Sequence, residues 1–258
     1  MISRWLLRRS GVHGPIALVY HAIDTPADRT LSPWSLPARV FANHLRMLRD
    51  EGYLGHTIDG LHDAQPGRHL AITFDDGYRN NLIAAEALEQ TGFPATFFIV
   101  SGDLGKPPRW HDSDGPRDTL MDPTALQALA ARGFEIGSHG QQHERLTRLP
   151  IESVVAAMES SRRELSAIVQ RPVVSLAYPY GDWNAEVLAC AQRAGYRNAC
   201  TTQSGWALRD GDRLRIRRLS VMRQDTPARL ARKLAYAANA VDWRTLCGNR
   251  LGLRRSPR

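Results

Sequence analysis

The chain has 258 residues, of which 43% are hydrophobic and 23% are charged, which is enough for one domain with a sizeable core. The three cysteines, Cys190, Cys200 and Cys247, show no framework spacing, so they predict reduced thiols and argue against a disulfide-stabilised fold. The net charge of +8 is due largely to arginine, but no recognition motif accompanies it, so we expect no nucleic-acid partner.

The N-terminal segment, residues 1–14, is basic but contains no apolar run long enough for a secretory signal peptide. No run in the chain approaches the length of a transmembrane helix. Together with the reduced cysteines, this predicts a cytoplasmic protein. We divide the chain into this basic segment, a main domain at 15–225, and a C-terminal amphipathic helix with a basic tail at 226–258.

Short apolar runs of strand length alternate with helical patterns along the main domain. The helix signals include an apolar face that carries Phe41 and Leu45, a helix start at Asp122, and a long apolar stripe between 151 and 168. This alternation predicts an α/β barrel with parallel strands, whose C-terminal ends collect active-site residues. The predicted strands are residues 16–20, 70–74, 95–100, 134–137, 173–178, 197–201 and 215–219.

The predicted strand at 70–74 ends in two acids and a glycine, Asp75, Asp76 and Gly77. Two neighbouring carboxylates repel each other, so a site that keeps both ionised normally needs a cation. Once one carboxylate binds that cation, the other is available as a base. The same three residues are also typical of a polar turn, and the motif alone does not separate the two readings.

Two histidines, His139 and His143, follow the strand predicted at 134–137 and lie four residues apart. This spacing places them on one side of a helical turn. With a carboxylate from elsewhere they make three protein ligands and leave a coordination position open for water, as catalytic metal sites do. Two solvated loop histidines would give the same pattern, but the aspartates favour the metal site.

A third motif, Tyr-Pro-Tyr-Gly at 178–181, follows the strand predicted at 173–178. Its proline and glycine restrict the backbone, so the turn can aim a backbone N–H group. A rigid amide donor of this kind can stabilise the oxyanion that forms when water attacks an amide or ester. A plain turn with packed tyrosines is the alternative.

The three motifs in this order resemble those of the polysaccharide deacetylases of carbohydrate esterase family four, the NodB-like domain. The resemblance extends over most of the chain, including framing segments at 93–98, 133–139 and 194–196. It implies an α/β fold, a distorted (β/α)7-type barrel in a single domain. The implied activity is a metal-dependent hydrolase that removes N-acetyl groups from an amino-sugar-containing polysaccharide or oligosaccharide, so the implied partner is an N-acetylated glycan.

The resemblance assigns roles to five positions of this chain. It makes Asp75 the general base and Tyr180 the donor of a backbone amide to the oxyanion. The implied ligands of one divalent metal are Asp76, His139 and His143. Zinc suits two imidazoles and a carboxylate best, and cobalt, nickel or iron would also be accommodated.

Two positions depart from the family pattern. The arginine that usually stands two residues before the proline of the third motif, and that orients the base, is replaced here by Ala177. Arg217 and Arg218, on the strand predicted at 215–219, are candidates for the missing role, or else they are exposed strand cations. The family's fourth motif, Asp-x-x-Asp-Trp, is not evident after Gly181.

The proton donor of the family usually lies in a Leu-x-x-His motif near the C-terminal end, but no histidine follows Val221 in this chain. The same pattern stands at 18–21, near the opposite end, as in a circularly permuted subgroup that includes poly-N-acetylglucosamine deacetylases. In a closed barrel the first and last strands are neighbours, so either end can supply the residue. We therefore predict His21 as the general acid, with a histidine that caps the first strand as the alternative.

Three residues are candidates for substrate binding: Trp110, Pro179 and Arg217. Trp110 stands in the longest irregular stretch, 101–121, where it would form a sugar platform or else pack the loop down.

The predicted C-terminal helix begins at Thr226 and places Leu230, Leu234, Ala237 and Val241 on one face. Its basic, amphipathic character suits peripheral contact with an anionic membrane, and a last helix that docks on the barrel is the alternative.

Three other functions fit the same residues less completely. They are a deformylase or deacetylase of a lipid-linked or small sugar, a catalytically silent carbohydrate-binding relative, and an iron-dependent redox enzyme. The missing arginine at Ala177 suggests the second, and the third gives Asp75 no role.

Overall fold

A curled parallel β-sheet forms the centre of the protein, in a computed structural model that describes residues 5, 7, 14–24, 32–64, 67–110 and 118–241. Two further short strands form a separate parallel pair, β2 (Ala22–Asp24) with β3 (Ser35–Pro37). The strands of the main sheet are β1 (Ile16–Tyr20), β4 (Leu54–His56), β5 (His69–Phe74), β6 (Thr96–Ile99), β7 (Glu135–Ser138), β8 (Ser175–Ala177), β9 (Asn198–Cys200) and β10 (Leu219–Ser220).

The order of the strands in the main sheet is β10-β1-β5-β6-β7-β8-β9, with β4 also paired to β5. The first strand of the chain therefore lies beside the last, as the prediction for His21 requires. Whether the chain is a circular permutation of the usual order stays a prediction.

The two edges of the sheet are joined by one short segment, residues 216–220. Ile216 pairs with Cys200 at the end of β9, and Leu219 pairs with Leu18 of β1. We call this segment the seam. Because the seam pairs with both edges, the sheet curls into a barrel, and the α/β barrel class predicted from the sequence is confirmed.

Six helices cover the outside of the sheet in the described part of the chain. The predicted helix start at Asp122 is confirmed, since its side chain accepts a hydrogen bond from the Ala125 N–H at 2.9 Å. The helices are α1 (Ala38–Asp50), α2 (Asn81–Thr91), α3 (Pro123–Ala131), α4 (Ile151–Val169), α5 (Ala185–Arg193) and α6 (Pro227–Tyr236).

Two predicted elements are shorter in the structure. The strand predicted at 215–219 is reduced to β10 plus the single bridge at Ile216, because the seam crosses from one edge to the other. Helix α6 ends at Tyr236, where Ala237 takes a left-handed backbone with φ of 47°, so Val241 lies beyond the helix. The short strands β2, β3 and β4 were missed, since three residues are too few to show a period.

Helix α6 docks on the barrel through its apolar face, on which Leu230 and Leu234 are fully buried. Lys233, on the same face, is also buried and donates hydrogen bonds to Asp225 and to the carbonyl of Ser220, at 2.5 and 2.7 Å. This face is therefore covered by protein. No helix in the described part of the chain is long and apolar enough to cross a membrane.

Several predictions concern residues outside the described ranges. They include most of the basic segment 1–14, the tail 242–258 with Cys247, and the loop portion 111–117. Contact of the tail with an anionic membrane, and the cytoplasmic location, stay predictions. Cys190 and Cys200 are buried thiols.

His44 of α1 is a buried neutral histidine that makes stability depend on pH. Its Nδ1 accepts a hydrogen bond from the Tyr20 hydroxyl at 3.2 Å, and its Nε2 donates to the Asp225 carbonyl at 2.8 Å. Burial lowers the pKa of His44 from 6.5 to about 4. The unfolded chain therefore binds a proton here more readily than the folded chain does, and stability is lost as pH falls below about 6.5.

We expect the free energy of unfolding to fall by about 2 kcal/mol between pH 7 and pH 5 because of His44, in addition to the contribution of the carboxylates. His44→Gln keeps an acceptor and a donor but cannot be protonated, so the variant should lack this part of the loss. Urea unfolding of both proteins at the two pH values measures the difference. An equal pH dependence in the two proteins would contradict the assignment.

Candidate active site

The predicted site residues gather at the C-terminal ends of neighbouring strands. His21 follows β1, Asp75 and Asp76 follow β5, and His139 follows β7. The backbone holds these ends in register, since the Asp75 N–H donates to the Tyr20 carbonyl at 2.9 Å. The barrel thus brings together residues that are more than 100 positions apart in sequence.

Asp76, His139 and His143 form a buried cluster of metal-ligating side chains. The Nε2 atoms of His139 and His143 lie 3.5 and 3.4 Å from Oδ1 of Asp76, and the three ligand atoms are all within 4.8 Å of one another. Oδ1 of Asp76 is buried and has no hydrogen-bond partner among the described residues. A buried carboxylate oxygen of this kind, facing two imidazoles, fits a divalent cation.

A hydrogen bond fixes the orientation of the His139 ring. Its Nδ1–H donates to the carbonyl of Ala177 at 2.8 Å, which leaves the lone pair of Nε2 directed toward Asp76. Burial also lowers the pKa of His139, so the ring is neutral, as a metal ligand must be. Ala177 therefore contributes its backbone where the family pattern has the side chain of an arginine.

The backbone at the first motif is held in an unusual conformation. Asp76 and Gly77 both have positive φ, of 72° and 84°. A Cβ on Gly77 would come 3.1 Å from Ile99, so only glycine fits this turn without strain. The Met121 N–H donates to the Gly77 carbonyl at 2.9 Å, and this bond ties the turn to the end of the long loop. The turn aims the two adjacent carboxylates in different directions.

Asp76 is also hydrogen-bonded to a tyrosine that was not among the residues predicted from the sequence. The side chains of Asp76 and Tyr78 are hydrogen-bonded, and Tyr78 is fully buried. Burial, together with the charge of Asp75, raises the pKa of Asp76 to about 8. A carboxyl group with such a pKa is largely protonated near neutral pH unless a cation holds it ionised, which again fits a metal ligand.

Asp75 is paired with an arginine rather than with the histidines. Arg218 of the seam donates two parallel hydrogen bonds to it, from Nη1 to Oδ1 at 2.6 Å and from Nη2 to Oδ2 at 2.7 Å. The arginine is itself fixed, because Nη1 also donates to Thr73 Oγ1 at 3.0 Å and Nε donates to the Thr201 carbonyl at 3.1 Å. Arg218 is fully buried.

The arginine keeps Asp75 ionised inside the protein. Burial alone would raise the pKa of Asp75, but the charge of Arg218, together with His139 and the two hydrogen bonds, outweighs burial and holds the pKa well below its usual range. The pKa values of the two neighbouring aspartates are thus shifted in opposite directions, which indicates different roles for the two carboxylates.

Arg217 and Arg218 point to opposite sides of the chain, as successive residues of an extended segment do. Arg217 lies outside the site, where Nε donates to Asp210 Oδ2 at 2.7 Å and Nη1 donates to the Ser204 carbonyl. Of the two candidates for the missing arginine, the structure places Arg218 on Asp75. Arg217, the candidate for substrate binding, forms an ion pair with Asp210.

A family model for polysaccharide deacetylases matches residues 62–199, more than half of the chain. The chain belongs to the polysaccharide deacetylase family. Members of this family are metal-dependent hydrolases that act on the amide bonds of N-acetyl sugars.

Individual relatives agree with the family model. YxkH of Bacillus subtilis (strain 168), named for the same family, is 27% identical over 226 residues, which are 85% of this chain and 75% of YxkH. A chitooligosaccharide deacetylase of Rhizobium leguminosarum bv. trifolii is 26% identical over 132 residues, 50% of this chain and 54% of the relative. The structure of IcaB from Ammonifex degensii superposes with a TM-score of 0.72 over 88% of this chain and 97% of IcaB. The two sequences are 22% identical, so this likeness shows a shared fold.

The deacetylase carries aromatic side chains around its candidate metal site. The ring of Trp110 stacks on His143 with 4.5 Å between ring centroids, and the ring of Tyr180 meets His143 edge-on at 4.4 Å. Arg145 lies over the other ring, 4.4 Å from the centroid of Tyr180. Trp110 thus contacts a candidate metal ligand, and it also packs against the buried cluster of Ala22, Tyr78, Val100 and Leu120. Its role as a sugar platform stays a prediction.

The third motif of the deacetylase forms a tight turn, Pro179–Gly181. The side chain of Pro179 is buried, and it packs against Gly140, where a Cβ would come 3.3 Å from Pro179 Cγ. Tyr180 has a positive φ of 59°, and its side chain is 44% exposed. The proline therefore packs against the residue that follows His139, and the exposed tyrosine ring lies beside His143.

His21 of the deacetylase lies beside Asp75, because it follows Tyr20, which pairs with Phe74 just before Asp75. The charge of His21 also contributes to the lowered pKa of Asp75. Its ring contacts Trp34, with 4.7 Å between centroids. Trp34 was missed in the sequence, since it stands outside every motif.

Proposed function

We propose that this deacetylase hydrolyses the N-acetyl groups of an amino-sugar polysaccharide or oligosaccharide. The observation that carries the proposal is that two adjacent carboxylates have different partners. Asp75 is held by Arg218, and Asp76 faces two histidines. A hydrolytic site needs this division, with one carboxylate for a metal and another for a proton. The chitooligosaccharide deacetylases among the relatives support an amino-sugar substrate.

Asp76, His139 and His143 are the residues that would hold one divalent metal. The donor set of two imidazole nitrogens and one carboxylate oxygen suits zinc, and cobalt, nickel or iron would accept the same ligands. When bound, such an ion polarises the acyl carbonyl and lowers the pKa of a water molecule.

Asp75 receives a proton from the attacking water. Arg218 occupies one lone pair on each carboxylate oxygen and fixes the direction of the other, so the base is oriented before the substrate arrives. The same pair makes Asp75 a weaker base than a free carboxylate. The pair in return keeps the carboxylate ionised next to Asp76, and a metal held by Asp76, His139 and His143 would supply a more acidic water for it to deprotonate.

His21 donates a proton to the nitrogen of the leaving sugar. It follows β1, the strand paired with β5, which Asp75 follows, so base and acid face the scissile amide from adjacent strand ends. The backbone amide of Tyr180 stabilises the oxyanion, since the turn Pro179–Gly181 is rigid and lies at the same end of the barrel.

The function is tested by acetate release from N-acetylglucosamine oligomers and by formate release from their N-formyl analogues. We expect acetate in amounts equal to the new free amines, loss of activity after treatment with a chelator, and recovery with Zn²⁺. Metal content of the purified protein is measured in parallel. Failure of the metal-loaded protein to release acetate from any oligomer would refute the proposal, and formate release alone would redirect it to deformylation.

His21→Gln should lower kcat by about a hundredfold or more while the metal content stays unchanged, because a general acid contributes roughly 10² to 10⁴ to the rate. The pH profile of kcat should no longer show the decrease at high pH that arises when the general acid loses its proton. Steady-state kinetics over a pH series measure both effects. Full activity of the variant would show that His21 only caps the first strand.

A further inference from the structure

Trp34 is a large apolar side chain that remains exposed next to the active site. It is 41% exposed, whereas its neighbours Ser35 and Leu36 are buried. Its ring lies 4.7 Å from the ring of His21, at an interplanar angle of 52°. An exposed tryptophan beside a functional residue is typical of a recognition surface rather than of a core.

The backbone around Trp34 is fixed on both sides. The Arg223 N–H donates to the Pro33 carbonyl at 2.8 Å, and the Arg223 Nη1 donates to the Ser35 carbonyl at 2.9 Å. The Ser35 N–H also donates to the Ser32 carbonyl at 3.2 Å, which closes a tight turn with Trp34 inside it. The ring is therefore presented on a rigid turn.

The pairing of β2 with β3 explains why Trp34 meets His21. Ala22 of β2 pairs with Ser35 of β3, and the two residues just before this pair are His21 and Trp34. Their side chains therefore leave adjacent parallel chains at the same level. This register is set by the pairing of β2 with β3.

We infer that Trp34 is a binding platform for the pyranose ring that carries the reacting amide. The inference rests on the proposed function, in which His21 protonates the sugar nitrogen, so a flat ring in contact with His21 lies on the sugar side of the scissile bond. One face of a β-linked N-acetylhexosamine consists of C–H groups, and an aromatic ring buries such a face without leaving polar groups unpaired. A second exposed aromatic side chain, Tyr180 at 44%, contacts the candidate metal ligand His143.

The test is a titration of Asp75→Asn protein with the tetramer of N-acetylglucosamine, because this variant binds substrate without consuming it. Adding Trp34→Ala should raise Kd by about tenfold, the loss expected for one buried aromatic contact, and adding Trp34→Phe should raise it by less. Tyr236→Ala, which removes an aromatic side chain of similar exposure at the end of α6, is the matched control and should leave Kd unchanged. Thermal unfolding confirms that each variant is folded.

Kinetics separate a platform from a residue that only supports His21. In the otherwise unaltered enzyme, Trp34→Ala should raise KM and leave the pH dependence of kcat in place. A lower kcat with an altered pH profile and an unchanged KM would overturn the inference, as would an unchanged Kd. If the tetramer binds through Trp34 but no acetate is released, the proposed function fails and the platform stands. If acetate is released with an unchanged Kd in Trp34→Ala, the platform fails and the function stands.

Discussion

Replacing Arg218 with methionine is expected to lower kcat by about a hundred- to a thousandfold, with the metal content unchanged. The arginine holds both oxygens of Asp75 with hydrogen bonds of 2.6 and 2.7 Å. Without it, the buried carboxylate takes up a proton and can no longer accept one from water. Steady-state kinetics on an N-acetylglucosamine oligomer, with metal analysis of the same samples, measure the effect.

Stability should fall in the same variant, since removing one partner of a buried ion pair costs about 3–5 kcal/mol. Kinetics are therefore compared at a temperature at which circular dichroism shows the variant folded. Arg218→Lys keeps the charge but not the two parallel hydrogen bonds, so it should recover stability better than activity.

Arg217→Ala is the matched control for this prediction. Arg217 is the adjacent arginine in sequence, but it binds Asp210 outside the site, so its loss should change kcat by less than about threefold. Full activity of Arg218→Met, or an equal loss in both variants, would contradict the role of Arg218 as the orienting residue.

Asp75→Asn and Asp76→Asn should both abolish most of the activity, but for different reasons. Asp75→Asn removes the base and should lower kcat by about a thousandfold while the protein keeps its metal. Asp76→Asn removes a ligand and should weaken metal binding by an order of magnitude or more, with activity partly recovered at high metal concentration. Calorimetric titration of the metal-free proteins with Zn²⁺ measures the affinities, and acetate release measures the rates.

The two affinities decide the assignment. Equal metal affinity in both variants would mean that the two carboxylates share one role. Weaker binding in Asp75→Asn than in Asp76→Asn would reverse the roles. The structure predicts the opposite order, because both oxygens of Asp75 already accept hydrogen bonds from Arg218.

The barrel and most of its site could be predicted from the sequence because the signals are local. Asp75, Asp76, His139 and His143 each follow an apolar run, and the C-terminal ends of parallel strands meet at one end of a barrel. The position of each residue relative to its own strand was therefore enough to predict that they lie together.

The choice between Arg217 and Arg218 could not be made from the sequence, because it depends on which side of the seam faces the interior. A strand period assigns alternate residues to alternate sides, but the seam forms only a bridge and a two-residue strand, too few positions to show a period. Trp34 was missed for a related reason. Its contact with His21 follows from the pairing of β2 and β3, two strands of three residues each.

The role proposed for Arg218 makes catalysis depend on closure of the barrel. In the usual family pattern the orienting arginine belongs to the third motif, whereas here it belongs to the seam, which is held to β9 through Ile216 and to β1 through Leu219. Local separation of either edge would withdraw the guanidinium from Asp75 and leave the Asp76, His139 and His143 cluster in place. The proposed roles therefore predict that the enzyme loses turnover before it loses its metal, and that a metal-loaded, nearly intact protein can be inactive.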